Sequence, residues 1–259
     1  MQYWLIVPAA GTGQRFGSAE GPKQYALLGD RTVIEWACEP FVADARCRGA
    51  VFALQSDDSY WPAVRARLQA KGLQSMLQVD GGAARVHSVR NALRALVDRV
   101  EARDLVLVHD AARPCLLRAD IDALLAAAAA GADAALLAAP LAETLKRAQP
   151  PTDTGVGGDA DRPIIRVAET LPRERLWRAL TPQLARYATL CAALDAALAA
   201  SRLPTDESQA LEWHGVAVQI VAGAASNIKI TKPEDLAFAQ ALIRARSHAS
   251  VDDAARRVR

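Results

Sequence analysis

Five cationic side chains in this 259-residue chain stand in or beside turns built from glycine, alanine and aspartate. Arg15 and Lys23 belong to Pro8-Ala9-Ala10-Gly11-Thr12-Gly13-Gln14-Arg15-Phe16-Gly17 and the following Pro22-Lys23-Gln24. Arg85 closes Asp80-Gly81-Gly82-Ala83-Ala84-Arg85, Arg113 closes His109-Asp110-Ala111-Ala112-Arg113, and Lys229 lies in Ser226-Asn227-Ile228-Lys229-Ile230-Thr231. Glycine lets backbone N–H groups come close to phosphate oxygens, and lysine and arginine add fixed charge and directed donors. These types suit a multiply charged anion. The need for a local site is sharpened by the rest of the chain: 31 basic residues against 29 acidic leave a net charge of only +2. A protein that coats a polyanion through its global field is thereby excluded.

Other chemistries fit poorly. The Walker A run GxxxxGK[ST] does not occur, and the dinucleotide fingerprint GxGxxG is missed because Gly17 arrives one residue late, with Gly21-Pro22 where a helix should continue. The four histidines show no HExxH spacing. The four cysteines, Cys38, Cys47, Cys115 and Cys191, form no CxxC pair, and read as reduced thiols of a cytoplasmic protein. No basic, apolar and cleavable leader is evident, and no run approaches a membrane span, so neither membrane nor nucleic acid is expected as a partner.

The elements that must position these residues follow a repeating pattern. Short aliphatic runs at 3–7, 50–54, 75–79, 105–109, 134–138 and 216–221 predict strands. Longer amphipathic stretches at 33–41, 60–71, 88–97, 120–130 and 184–200 predict helices between them. This alternation is that of a mainly parallel sheet with crossover helices. Strand ends that lead into the cationic turns then fall at the carboxyl edge of the sheet, where ligands bind in open α/β folds. Gly72 and Gly131 stand where left-handed helix caps belong, and Thr231-Lys232-Pro233-Glu234 predicts a helix start. The rhythm breaks at 141–167, which lacks a helix pattern and reads as an arm inserted into a single domain spanning 1–246. The segment 247–259, poor in large apolar side chains, reads as a loose, disordered tail.

In order along the chain, AAGTGQRFG with PKQY, DGGAARVHSV, VHDAARP, LWRALTPQ, TDE and NIKITKPEDL resemble the 2-C-methyl-D-erythritol 4-phosphate cytidylyltransferase family of the non-mevalonate isoprenoid pathway, over nearly the whole chain. The resemblance implies a Rossmann-like nucleotidyltransferase core with a protruding β-arm for dimerisation, CTP and 2-C-methyl-D-erythritol 4-phosphate as substrates, Mg²⁺ as cofactor and a homodimer. It also implies roles. Arg15 and Lys23 would stabilise the α-phosphate in the transition state. Lys229 would stand near both phosphates, and Arg173 on the arm would position the acceptor. Ala9, Ala10, Gly11, Gly81, Gly82 and Ser88 would cradle cytosine and ribose. Asp110, Arg113, Thr144, Thr181 and Thr205 would hold the acceptor phosphate or the metal-bound end, with Asp110 the metal ligand. Ala83 stands where many members carry an acid, and Ser226 where some carry Asp.

The residue types match the implied chemistry. A phosphate monoester is already ionised, so its attack on the α-phosphorus of CTP needs no general base, and the obstacle is repulsion between anions. Cations answer that obstacle, and His109 is expected to be structural. Two other readings remain open at this stage. One is a related cytidylyltransferase acting on another polyol phosphate such as ribitol 5-phosphate. The other is a nucleotide-binding protein without activity.

Overall fold

In a computed structural model, residues 1–11, 16, 21–150 and 165–257 are described, with side chains as far as Arg246. Among them a seven-stranded sheet forms the centre. The chain opens with β1 (Tyr3–Pro8), a 3₁₀ turn at Lys23–Tyr25, the short pair β2 (Leu27–Leu28) and β3 (Arg31–Thr32), then α1 (Val33–Val42). It continues through β4 (Cys47–Leu54), α2 (Trp61–Ala70), β5 (Met76–Asp80), α3 (Arg85–Arg94), β6 (Leu105–Val108), α4 (Arg118–Ala129) and β7 (Ala134–Pro140). The remainder is β8 (Leu145–Ala148), β9 (Val167–Leu171), β10 (Trp177–Arg186), α5 (Tyr187–Ala199), α6 (Glu207–Trp213), β11 (Val218–Ala222) and α7 (Glu234–Arg257).

The sheet order is β11-β7-β10-β6-β1-β4-β5. All its pairings are parallel except those of β10, which runs antiparallel to both β6 and β7. The chain moves outward from β1 through β4 to β5, then returns to place β6 on the other side of β1. That reversal opens a crevice at the carboxyl end of β1, the usual ligand position in open α/β sheets. The inner strands are apolar on both faces because both are covered. Tyr3, Leu5 and Val7 pack with Ile34, Phe41, Val64, Leu68, Ile121 and Leu124 of α1, α2 and α4. Trp4 and Ile6 face the opposite layer, where Val89, Leu93, Leu190, Leu194 and Leu211 come from α3, α5 and α6. A third cluster joins Ala239 and Ile243 of α7 to Val33 of α1 and Cys115.

Gly72 (φ +115°) and Gly131 (φ +103°) take the left-handed conformation expected of them. The start of α7 is braced slightly differently from the expectation: Asp235, not Glu234, accepts from Thr231 N at 2.8 Å, Thr231 Oγ1 at 2.8 Å and Lys232 N at 2.9 Å.

Two expectations are corrected. The helix predicted at 184–200 begins at Tyr187, and Leu184–Arg186 finish β10. β10 carries no clean strand signal, because Thr181 and Gln183 are polar yet buried and Pro182 lacks a ladder N–H; its register with β7 is interrupted between Ala179 and Gln183. α3 starts at Arg85 instead of residue 88, which puts Arg85 in the first helical turn. The backbone of α7 is helical as far as Arg257, where alanine and arginine favour helix and no Gly or Pro stops it. β8 and β9 pair antiparallel with each other, outside the central sheet.

Candidate active site

A cleft of about 400 Å³ lies at the carboxyl ends of β1, β5 and β6. Its lining includes Ala9, Ala10, Gly11, Lys23, Gly82, Arg85, Ser88, Asp110 and Lys229. Residues from four separate parts of the sequence thus meet in one cavity of small-ligand size.

The wall after β1 is pinned by Gln24, which is buried in the 3₁₀ turn. Its Nε2 donates to the Ala9 carbonyl at 2.8 Å and to that of Gly11 at 3.5 Å. Lys23, next to it, faces the cleft. Gln24 escaped the sequence reading as a site residue, although its motif PKQ was noticed, because its work is done by a carboxamide bonding to backbone. Arg15 lies outside the described residues.

The facing wall is Gly81-Gly82. A Cβ on Gly81 would lie 2.1 Å from Ala10 Cβ, and one on Gly82 would lie 2.3 Å from His87 Cβ. Both positions need glycine for space. Their N–H groups are already engaged: Gly81 N donates to the Leu54 carbonyl at 2.7 Å and Gly82 N to Ser88 Oγ at 3.1 Å. This pair therefore shapes the wall, and Ser88, buried in α3, holds it in place.

The third side is electrostatic. Asp110 follows β6, and its carboxylate is buried among three cations. Oδ1 faces Arg85, with Nε at 3.2 Å and Nη2 at 3.1 Å. Oδ2 accepts from Lys229 Nζ at 2.8 Å and Arg113 Nε at 3.4 Å. Burial by itself would raise the Asp110 pKa, but Arg85, then Lys229 and Arg113, outweigh it and hold the carboxyl well below the usual carboxylate range. Arg113 is itself buried, with Nη1 on the Asn227 carbonyl at 2.9 Å. Lys229, 39% exposed in its side chain, is the cation of this group most open to the cleft. Its loop is fixed by Asn227, whose Nδ2 donates to Thr181 O at 2.7 Å, and by Ile230 N on the Ala112 carbonyl at 2.8 Å.

The other predicted site residues are placed as follows. Thr181 is buried behind Asp110, its Oγ1 accepting from Asp110 N at 3.1 Å and lying 3.0 Å from His109 Nδ1, so it orients Asp110. His109 is buried too, and burial pushes its pKa down to about 4, which suits the structural role expected of it. Thr205 is exposed and bonded through its N–H to Gln209 Oε1. Thr144 and Arg173 are exposed near the arm, where Arg173 Nη1 donates to the Ala142 carbonyl; neither lines the cleft of its own chain. Ser226 Oγ accepts from Arg246 Nη2 at 3.2 Å, so this position anchors α7. Glu207, buried in α6, contacts Arg85 Nη1; it lies in the TDE motif, of which only Thr205 is given a role from the sequence.

The arrangement supplies a shaped, small-residue wall opposite a cluster of cations, with one carboxylate among them. That suits a nucleotide whose phosphates lie over Lys23 and Lys229. Comparison with known proteins points the same way. Residues 3–245 match the family model IspD, 2-C-methyl-D-erythritol 4-phosphate cytidylyltransferase. The 2-C-methyl-D-erythritol 4-phosphate cytidylyltransferase of Halorhodospira halophila is 45% identical over 249 residues, 96% of this chain and 97% of that protein. That of Ectopseudomonas mendocina is 44% identical over 92% of this chain and 94% of its own length. The crystal structure of the Francisella tularensis enzyme superposes with a TM-score of 0.72 at 30% identity, covering 93% of this chain and all of that one. With sequence and overall fold in agreement over nearly its full length, the chain belongs to the 2-C-methyl-D-erythritol 4-phosphate cytidylyltransferase family.

Proposed function

We propose that the cleft at the end of β1 is where this chain transfers the cytidylyl group of CTP to 2-C-methyl-D-erythritol 4-phosphate. The observation that carries this assignment is the meeting of Lys23, Arg85 and Lys229 with the close-packed Ala10–Gly81 wall in one cavity. An oxygen of the acceptor phosphate forms a bond to the α-phosphorus, the bond from that phosphorus to the bridging oxygen breaks, and pyrophosphate leaves. Lys23 acts on charge developing at the α-phosphate, together with Arg15, and Lys229 lowers the repulsion between acceptor and triphosphate. Asp110 keeps Lys229 in place, and Thr181 keeps Asp110 in place. Ala9, Ala10, Gly11, Gly81 and Gly82 leave space for a pyrimidine and too little for a purine.

The family's Mg²⁺ fits these residues as an ion brought in on the triphosphate. Asp110 is the only carboxylate lining the cleft among the described residues, and Mg²⁺ is commonly held by one or two carboxylates plus substrate phosphates. When bound, the ion neutralises phosphate charge. Asp110 would serve as its protein ligand only by releasing Lys229 or another of the cations that engage both its oxygens here.

The acceptor end is completed by a second copy of the chain. Thr144 and Arg173 do not line their own cleft, and Ile165, Val167, Leu176 and Trp177, on or beside the arm strands, are all exposed. Large apolar side chains left exposed along such a projection suit cover by a partner, and a two-fold dimer is the commonest way to supply it. Function in the cytoplasm accords with reduced cysteines, and no helix among the described residues is long and apolar enough to cross a membrane.

The test is pyrophosphate release measured across the four nucleoside triphosphates and several polyol phosphates with Mg²⁺. CTP with 2-C-methyl-D-erythritol 4-phosphate should give the highest kcat/KM. Equal turnover with ATP would remove the nucleotide assignment, and equal turnover with ribitol 5-phosphate would remove the acceptor assignment.

A further inference from the structure

Glu207 sits at the first residue of α6, one layer behind the cleft, and is only 2% exposed. Its backbone is clamped. Asp206, the helix cap, accepts from Gln209 N at 2.9 Å and from Gln183 Nε2 of β10 at 2.9 Å, while Gln183 Oε1 accepts from Ser208 N at 2.8 Å. The carboxylate that this clamp holds in place is poorly provided for. Oε1 contacts Arg85 Nη1, whereas Oε2 makes no hydrogen bond among the described residues. A buried carboxylate with one partner is costly, and a pair of this kind is weak support for stability. Its position suggests another use. Glu207, Arg85, Asp110 and Lys229 form a line of alternating charge that runs from α6 to the cleft.

The geometry along that line is selective. With Nη1 directed at Glu207, Arg85 hydrogen-bonds Asp110 through Nε alone, on Oδ1, and its Nη2 lies 3.1 Å from that same oxygen without a hydrogen bond among the described residues. Oδ2 is left to Lys229 at 2.8 Å, with Arg113 at 3.4 Å. An arginine free of other partners tends to grip a carboxylate by both oxygens in a parallel fork. Such a grip would compete with Lys229 for Oδ2. We infer that Glu207 is a positioning residue: it draws Arg85 to one oxygen of Asp110 so that the other can hold Lys229 at the cleft. The inference rests on the reading that Lys229 acts on the nucleotide and acceptor phosphates.

The test is a double-mutant cycle on the full-length enzyme, with kcat and KM for both substrates and a thermal melt for each variant. Glu207→Gln keeps the shape and removes the charge. Its kcat should fall about 10- to 100-fold, the scale of a small misplacement of a reacting group. KM for CTP should change less than kcat. In a Lys229→Ala background the same substitution should cost less than about 3-fold, because its effect passes through Lys229. Should Glu207→Gln fail to fold, Glu207→Asp retains the charge, withdraws it from Arg85, and should show a smaller kcat loss that also disappears with Lys229→Ala. Wild-type kcat in a folded Glu207→Gln, or losses that multiply fully with Lys229→Ala, overturn the inference while leaving the site reading intact. Near-wild-type kcat in Lys229→Ala alone overturns the site reading itself.

Discussion

At the scale of single residues, the cleft depends on side chains that never face it. His109 is 1% exposed, with Nδ1 3.0 Å from Thr181 Oγ1 and Nε2 3.2 Å from the Arg113 carbonyl. Thr181 Oγ1 already accepts from Asp110 N, so its own hydrogen goes to Nδ1, and Nε2–H donates to Arg113. The network therefore assigns a neutral imidazole protonated on Nε2. Burial lowers its pKa from 6.5 to about 4, more than the neighbouring Asp110 charge raises it. The unfolded chain thus binds this proton at a higher pH than the folded one. The contribution to stability is complete above about 6.5 and is lost as pH falls toward 4. His109→Gln removes this proton linkage. Between pH 7 and pH 5, wild type should lose about 2 kcal/mol relative to the variant, measured by urea denaturation at both values. Parallel pH dependence of the two proteins would show that His109 is protonated in the folded state.

At the scale of elements, the active cleft is a matter of how closely two strand-end turns approach. The turn after β5 lies so near the turn after β1 that a Cβ on Gly81 would meet Ala10 Cβ at 2.1 Å and the Leu54 carbonyl at 3.2 Å. Neither neighbour is the tip of a flexible side chain, so one turn has to move. Gly81→Ala should cost about 1–3 kcal/mol in stability, the range for overpacking. It should also raise KM for CTP by an order of magnitude or more, because the wall that moves is the nucleotide's. A KM for CTP within about 2-fold of wild type, in a protein whose melting temperature has dropped, would separate Gly81 from nucleotide binding. The motif DGG was conspicuous in the sequence. That its N–H groups are engaged by Leu54 and Ser88 could be learned only from the packed turns.

At the scale of the whole molecule, Arg173 and Lys23 belong to different regions of the surface of one chain. If the arm reaches a second copy, the two residues serve one site from different subunits. Lys23→Ala and Arg173→Ala homodimers should then each be nearly inactive. A mixed dimer carries one site with both defects and one with neither. Random exchange makes half the dimers mixed, so activity should return to roughly a quarter of wild type. Mass spectrometry can verify exchange, and absence of recovery after it would mean that Arg173 serves the site of its own chain or that no dimer forms.

The α/β alternation, the parallel character of the sheet and the carboxyl-edge location of the cationic turns were legible in the sequence. Buried parallel strands must be aliphatic throughout, and their crossover helices amphipathic, so local pattern suffices to find them. The motifs likewise picked out Lys23, Asp110 and Lys229, which the fold brings to one cleft. The antiparallel β10 was not legible, because its buried Thr181, Pro182 and Gln183 are there to support Asp110 and α6 and obscure the strand pattern. Nor were the roles of Gln24 and Glu207, which stand in the PKQY and TDE motifs but do their work only once packing supplies a partner. Sequence determines which groups are charged and which segments must be buried, since both follow from residue type and period. Only the tertiary structure decides which oxygen of Asp110 faces which cation, because that depends on distances between residues as far apart in the chain as Arg85, Asp110, Glu207 and Lys229.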